Sequence, residues 1–343
     1  MKNKAVYIIA STFIVMSSSA LAADKVDVDF YGKIHVSTDY LYDGHDGGFN
    51  VSSNSSRIGV KASHVISPEL ELIGQIERGV DVSEGSSTMK ARSTYVGLRG
   101  DWGTVRVGYY SSPTMSMMSA IDEFRDRIGE GRNIVRQDAA NMDRRLKSGV
   151  HYQSPAWQGF TLAVHYGTTE TEGTTVDNKN DVFNTSLTYN TGSWTFIGGY
   201  QNDNKNPQQT VEGSRFAVIK AGDGWRIAAV AQHVSGLTDA VAATPTSMNA
   251  WGVTGRYQLS DKYWLRGQVF GRSYKNSADD SLLATVGVDR VITPRLTWYL
   301  LGSSTQNSGN AIANVTGGGY GDSMVVLAGD DPIAISTGVV FSF

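Results

Sequence analysis

Two-residue alternation from one end of the chain to the other limits most strongly what this sequence can fold into. From Val26 the even positions are Val26, Val28, Phe30, Gly32, Ile34, Val36, Thr38, Tyr40 and Tyr42. The odd ones are Asp27, Asp29, Tyr31, Lys33, His35, Ser37, Asp39 and Leu41. Successive side chains of a strand point to opposite faces, so one face here is apolar with aromatic ends and the other polar. At the far terminus Ile333, Ile335, Thr337, Val339, Phe341 and Phe343 alternate with Ala334, Ser336, Gly338, Val340 and Ser342. The same rhythm recurs over 55–66, 69–81, 90–100, 103–111, 145–154, 157–167, 181–190, 193–202, 213–221, 224–235, 248–258, 262–274, 281–291 and 294–305. The total is sixteen strands, these fourteen each about nine to thirteen residues long, as tilted membrane strands require.

The connections alternate too. Short ones at Ser67-Pro68, Gly100-Asp101-Trp102, Ser154-Pro155-Ala156, Thr191-Gly192, Gly222-Asp223, Ser260-Asp261 and Thr293-Pro294 are interleaved with longer ones rich in Gly, Asn, Asp and Ser. All seven prolines are expected in connections, because a strand interior must donate to its ladder. Outward faces carry Val, Ile, Leu, Phe and Tyr; inward faces carry Ser, Thr, Asn, Gln, Gly and charge. A soluble barrel would reverse those signs. In hydrocarbon every unpaired backbone group costs several kcal/mol, so a sheet crosses only if it closes. The fold expected is all-β: a transmembrane antiparallel β-barrel of sixteen strands, too wide for side chains to fill. A secreted β-sandwich or solenoid is the bland alternative, and no sequence repeat supports the solenoid.

Residues 1–22, MKNKAVYIIASTFIVMSSSALA, read as a cleaved signal peptide: Lys2 and Lys4, an apolar stretch from Ala5 to Met16, then Ala20-Leu21-Ala22. A retained anchor is disfavoured because that stretch is shorter than the roughly 20 residues of a spanning helix. Residues 23–343 are then one barrel domain with 28 basic and 33 acidic side chains, a net charge of −5. This balance gives no reason to expect a nucleic-acid partner. The absence of cysteine excludes a disulfide, a thiolate nucleophile or a Cys-ligated metal.

The connection 111–144 is the longest. Ile121, Phe124 and Ile128 fall at i, i+3 and i+7, an apolar helical stripe, with Asp122, Glu123 and Asp126 off it. A structured loop this long is usually functional. The expectation is that it folds into the lumen, Ile121 and Phe124 packing on the wall and the three carboxylates projecting. An exposed flap is the alternative. Basic residues occupy the inward phase nearby: Arg57 with Lys61, Lys90 with Arg92, and Arg145 with Lys147, while Ile58, Val60, Leu146 and Val150 are expected outward. A mid-membrane charge on the lipid face would cost about 2–4 kcal/mol. Carboxylates opposite these cations would relieve their repulsion and leave a transverse field at the narrowest point. The alternative is that each cation is a solvated lumen residue away from any constriction.

Several segments resemble the general diffusion porins of Gram-negative outer membranes: Val28-Asp29-Phe30-Tyr31-Gly32-Lys33, Ser55-Ser56-Arg57-Ile58-Gly59-Val60-Lys61 and Ala91 to Gly103. Further on come Asp122-Glu123-Phe124, Gly149 to Pro155 and Phe341-Ser342-Phe343. The resemblance implies a homotrimer of sixteen-stranded barrels, each narrowed by an inward-folded third loop. It implies an arginine ladder at Arg57, Arg92 and Arg145 opposing Glu123 and Asp122, and an assembly signal at Phe343 read by the barrel-assembly machinery. Two departures stand out: Tyr109 follows Gly108 where the family often has arginine, and Asp122 and Arg125 flank Glu123-Phe124 where it usually has proline and glycine.

The function expected is passive diffusion of ions and small hydrophilic solutes, without catalysis, cofactor or metal. Outer-membrane lipid and lipopolysaccharide are the expected surroundings. A sugar- or anion-selective channel is the second reading, although only Tyr31 and Trp264 could begin an inward aromatic stripe. A barrel hydrolase is the third: six histidines are present, none in a metal spacing or beside a nucleophile motif. Gly317-Gly318-Gly319-Tyr320-Gly321 reads as a flexible extracellular loop.

Overall fold

The computed structural model describes residues 26–85, 89–136, 141–168, 180–206, 209–238, 245–275 and 277–343; the expected leader at 1–22 lies outside the described residues. Seventeen strand segments form one antiparallel sheet among them. They are β1 (Val26–Tyr42), β2 (Gly47–Ser53), β3 (Arg57–Ser67), β4 (Leu70–Gly79), β5 (Lys90–Gly100), β6 (Gly103–Ser111), β7 (Arg145–Gln153), β8 (Phe160–Gly167) and β9 (Val182–Thr191). The second half comprises β10 (Trp194–Asn206), β11 (Gln209–Gly222), β12 (Trp225–Thr238), β13 (Pro245–Ser260), β14 (Tyr263–Tyr274), β15 (Ser281–Thr293), β16 (Leu296–Asn307) and β17 (Ile333–Ser342). Consecutive strands pair except β2 with β3, and β1 pairs with β17 from Lys33↔Ser342 to Tyr42↔Ile333, which closes the ring.

The barrel has sixteen staves, because β2 and β3 are halves of one. The first half of β1 pairs with β3 (Val26↔His64 to Lys33↔Arg57) and its second half with β2 (Val36↔Ser53 to Tyr42↔Gly47). At the break, Ser55 takes a left-handed φ of 52°. Side chains replace the ladder there: His35 N donates to Ser56 Oγ (3.0 Å), and Asn54 Nδ2 to Ser37 Oγ (2.7 Å). The second strand thus starts eight residues earlier than its alternation suggests. Glycine and hydroxyl-rich residues 47–56 lack the side chains that mark a strand, yet β1 supplies their backbone partners.

Two further expectations change. Pro245 opens β13, so not every proline lies in a connection; Pro113 does, opening helix α1 (Pro113–Ile121) within the connection between β6 and β7. Both occupy first positions, where no ladder or helix donor is lost. Leu146 is buried, not outward, since the β6–β7 register shifts between Gly108 and Tyr110 and Ser148 has a φ of 43°. An extra residue in a bulge moves the following side chains to the other face. Elsewhere the outer skin is apolar as expected: Phe30, Ile58, Ile76, Val96, Val107 and Val150 are all exposed.

Candidate functional site

The connection between β6 and β7 runs inside the barrel. Its helix is α1, with a second short helix α2 at Arg132–Val135. The stripe Ile121, Phe124 and Ile128 is fully buried, but only Ile121 is helical; residues 122–131 are irregular. Helix α1 starts where Ser112 caps it, Oγ accepting from Met115 N, and Pro113 stands at its first turn. It docks on the wall through Asn184 of β9, whose Oδ1 accepts from Thr114 N (3.1 Å) and whose Nδ2 donates to Thr114 Oγ1 (2.8 Å). Met117, Met118 and Ile121 pack on Ile197, Ala217, Ile219, Ala228, Val230 and Phe270. The inward face of β10–β15 is therefore apolar where the loop covers it, a departure from a wholly polar lumen. Phe124 and Ile128 pack with Tyr299, Leu301, Val315 and Tyr320.

The three loop carboxylates take three different environments. Glu123 does not face Arg57, Arg92 and Arg145. Arg226, Arg256 and Arg266 stand opposite one another on β12, β13 and β14, and Glu123 lies among them: Arg226 Nη1 at 2.6 Å, Arg256 Nη1 at 3.6 Å, and a short ion pair with Arg266. Directly opposed like charges repel, and the carboxylate relieves them. Arg127 holds Asp289 through two bonds (2.6 and 3.1 Å), and Arg266 reaches the same carboxylate at 2.8 Å.

Asp126 turns to the opposite wall and bonds Lys33 Nζ at 2.8 Å, with Arg57 Nη1 at 3.9 Å. Burial alone would raise its pKa, but Lys33, Arg125 and Arg132 hold it well below the usual carboxylate range. Asp122 projects into no lumen. Its Oδ1 accepts from Phe124 N (3.0 Å), its Oδ2 is buried without a partner, and burial followed by the charge of Glu130 raises its pKa to about 7.

The expected basic ladder has a carboxylate of its own. Glu77 on β4 bonds Arg92 Nε at 2.6 Å, lies 3.5 Å from Arg57 Nε and accepts from Tyr31 OH at 3.0 Å. Arg145 Nε donates to Ser93 Oγ at 3.2 Å. Arg92 and Arg145 line two adjoining cavities. One, about 210 Å³, is bounded by Arg92, Arg125, Arg132, Arg136, Arg144 and Arg145 together with Asp126 and Asp143. The other, about 230 Å³, adds Lys90. In the first, six cations face two carboxylates; Asp126 is paired with Lys33 and Asp143 with Arg215 (2.6 and 2.7 Å), while Arg92, Arg132 and Arg144 are held by Glu77, Glu130 and Asp203, which leaves Arg125, Arg136 and Arg145 without an ion pair among the described residues. The space is net cationic, not crossed by a field between opposed unpaired charges.

A second loop enters the barrel. The connection 308–332, with its Gly317-Gly318-Gly319-Tyr320-Gly321 stretch expected as a flexible extracellular loop, folds onto the first. Gly319 N donates to Glu130 Oε1 (3.0 Å), Ser55 Oγ to Gly319 O (2.8 Å), Tyr320 OH to Asp39 (2.7 Å), and Gly129 N to Val315 O (2.7 Å). Gly318 and Gly319 line both cavities. A Cβ on Gly318, whose φ is 60°, would fall on the Glu130 carboxylate, so glycine here serves close approach. Glu77, the three arginines around Glu123 and this loop were the parts that residue patterns missed. The inward parity of Glu77, Arg226, Arg256 and Arg266 was available, but not which strands they share.

Comparison with known proteins places this geometry. A family model described as Gram-negative porin matches residues 10–310. Major outer membrane protein P.IB of Neisseria gonorrhoeae is 27% identical over 172 residues, which cover 47% of this chain and 49% of that protein, so the match spans about half of its length. Among solved structures, an anion-selective porin from Comamonas acidovorans superposes with a TM-score of 0.82 at 17% identity, covering 93% of this chain and 100% of that one. The trimer form of OmpT from Vibrio cholerae superposes with a TM-score of 0.71 at 18% identity, with the same coverage.

Proposed function

The chain belongs to the Gram-negative porin family, and from that premise we propose that it forms a water-filled channel for passive diffusion of ions and small hydrophilic solutes. Its relatives are outer-membrane proteins, and the outer membrane is where this barrel resides. Three features support the channel: a ring without an edge, an apolar skin, and a width that side chains cannot fill. The two inward loops narrow the lumen. Arg57, Lys90, Arg92 and Arg145 line the narrow part; Asp126 and Glu123 pin the third loop to opposite walls; Asp122 shapes its turn; Ile121 and Phe124 anchor it.

The observation that carries the reading further is the cavity lined by six cations and two carboxylates, in which Arg125, Arg136 and Arg145 have no ion pair among the described residues. It favours a preference for anions within general diffusion, since charge lining a constriction sets which ions enter. The similar fold of the Comamonas acidovorans protein, an anion-selective porin, is in keeping with this. A homotrimer is the assembly proposed, as in the trimer form of OmpT. Phe343 closes the seam with Gly32 through two backbone bonds (2.8 and 3.1 Å) and is the residue proposed for recognition by the assembly machinery. Lipopolysaccharide is the proposed outer neighbour. In liposome swelling with graded sugars, uptake should fall smoothly with size; a sharp preference unrelated to size would replace general diffusion with a sugar-selective channel.

A further inference from the structure

On the outward face of β13–β17 the skin is not filled. Gly255, Gly267, Ala284, Gly302 and Ser304 point to the membrane between larger apolar neighbours, and the hollow they leave measures about 940 Å³. A Cβ at Gly267 would meet nothing within 4 Å, and one at Gly302 only the Ala334 carbonyl at 4.0 Å. Its rim is Val253, Tyr257, Leu265, Val269, Val286 and Ile335. The depression is thus apolar, lies at membrane depth and has no side chain of this barrel in it.

Its periplasmic end carries a charge. Arg290 lies four residues beyond Val286 on the same outward face of β15, about 13 Å along the strand. It is exposed, and its two cross-strand neighbours are aromatic: Tyr263 on β14, whose ring centroid is 5.8 Å from the guanidinium, and Trp298 on β16. No carboxylate is paired with it among the described residues. Tyr and Trp mark the level of lipid head groups, so Arg290 stands where phosphates lie. A cation at the phosphate level, beside an apolar hollow of about 940 Å³, is the complement of one kind of molecule.

We propose that this groove holds a diacyl glycerophospholipid of the periplasmic leaflet, its phosphate on Arg290 and one acyl chain laid over Gly267 and Gly302. Guanidinium pairs with phosphate by charge-assisted hydrogen bonds, and the chain fills a void that bulk lipid would have to enter from the side. The inference concerns the outer wall and does not depend on which ions cross the lumen.

The test compares protein purified in mild detergent from cells as wild type, Arg290→Gln, Gly302→Leu and, on the far wall, Val107→Leu. Phospholipid retained per chain is measured by native mass spectrometry, with single-channel conductance confirming that each variant is folded. Wild type and Val107→Leu should retain a phospholipid, whereas Arg290→Gln should lose it about fivefold, the worth of one basic residue at an anionic lipid surface. Gly302→Leu should lose it as fully, with conductance unchanged. Equal retention in all four proteins, retention of lipopolysaccharide instead, or dissociation of an oligomer by Gly302→Leu would each overturn the proposal; the last would show a second chain in the groove.

Discussion

Glu77 and Glu123 do similar work on opposite walls, each keeping neighbouring guanidinium groups together. Glu77→Gln would release Arg92 and Arg57 into the lumen and should raise the chloride-to-potassium permeability ratio about two- to fivefold, as one charge at contact distance in water is worth about 1 kcal/mol; reversal potentials of the variant would check this. Glu123→Gln leaves Arg226, Arg256 and Arg266 without their carboxylate. Removing one partner of a buried ion pair typically costs about 3–5 kcal/mol, so urea unfolding in detergent should show a loss of that order. Asp122 gives a pH dependence of known sign. An acid whose folded pKa is raised, here from 3.8 to about 7, adds stability that is complete below the lower value and lost as pH rises through the upper one. Asp122→Asn keeps the acceptor for Phe124 N and should match wild type at pH 4 but unfold at a higher temperature at pH 8. Parity alone revealed Arg57 as a lumen residue; Arg92 shares the phase of the exposed Val96 and lines the cavities only past the β4–β5 register shift, and Arg145 lies past the β6–β7 shift that buries Leu146. Parity could not reveal that Glu123 faces away from them, because that depends on which way a loop turns inside a cylinder.

The elements that alternation specifies directly are the strands with one greasy and one wet face. Those it missed owe their structure to a partner. The β2 half-strand exists because β1 offers it a ladder, and the 308–332 loop is ordered because Glu130, Asp39 and Gly129 receive it. Glycine-rich sequence reads as freedom locally, yet at Gly318 the missing side chain is what admits a carboxylate. Gly318→Leu should therefore expel this loop, giving larger and noisier single-channel currents and a new protease-sensitive site between β16 and β17. Unchanged currents and protection would mean that the loop does not narrow the lumen. The helical stripe at 121–128 was a true mark of burial but not of helix, since a turn packed against two walls needs apolar residues at the same spacing.

At the scale of the whole molecule, a net acidic chain encloses a net basic cavity, which composition could not disclose. The overall charge is −3, while the cavity between the loops is lined by six cations and two carboxylates, and three of those cations, Arg125, Arg136 and Arg145, have no ion pair among the described residues. The screening length grows with dilution, from about 3 Å at 1 M salt to about 10 Å at 0.1 M, so the channel should discriminate most in dilute salt. The most direct test of the account is the zero-current potential of the purified protein in a planar bilayer under a potassium chloride gradient, repeated at low and high mean concentration. The account predicts stepwise channels whose potential has the sign of chloride preference and grows as salt is diluted. A potential of the potassium sign, or a bilayer that carries no current, would contradict it.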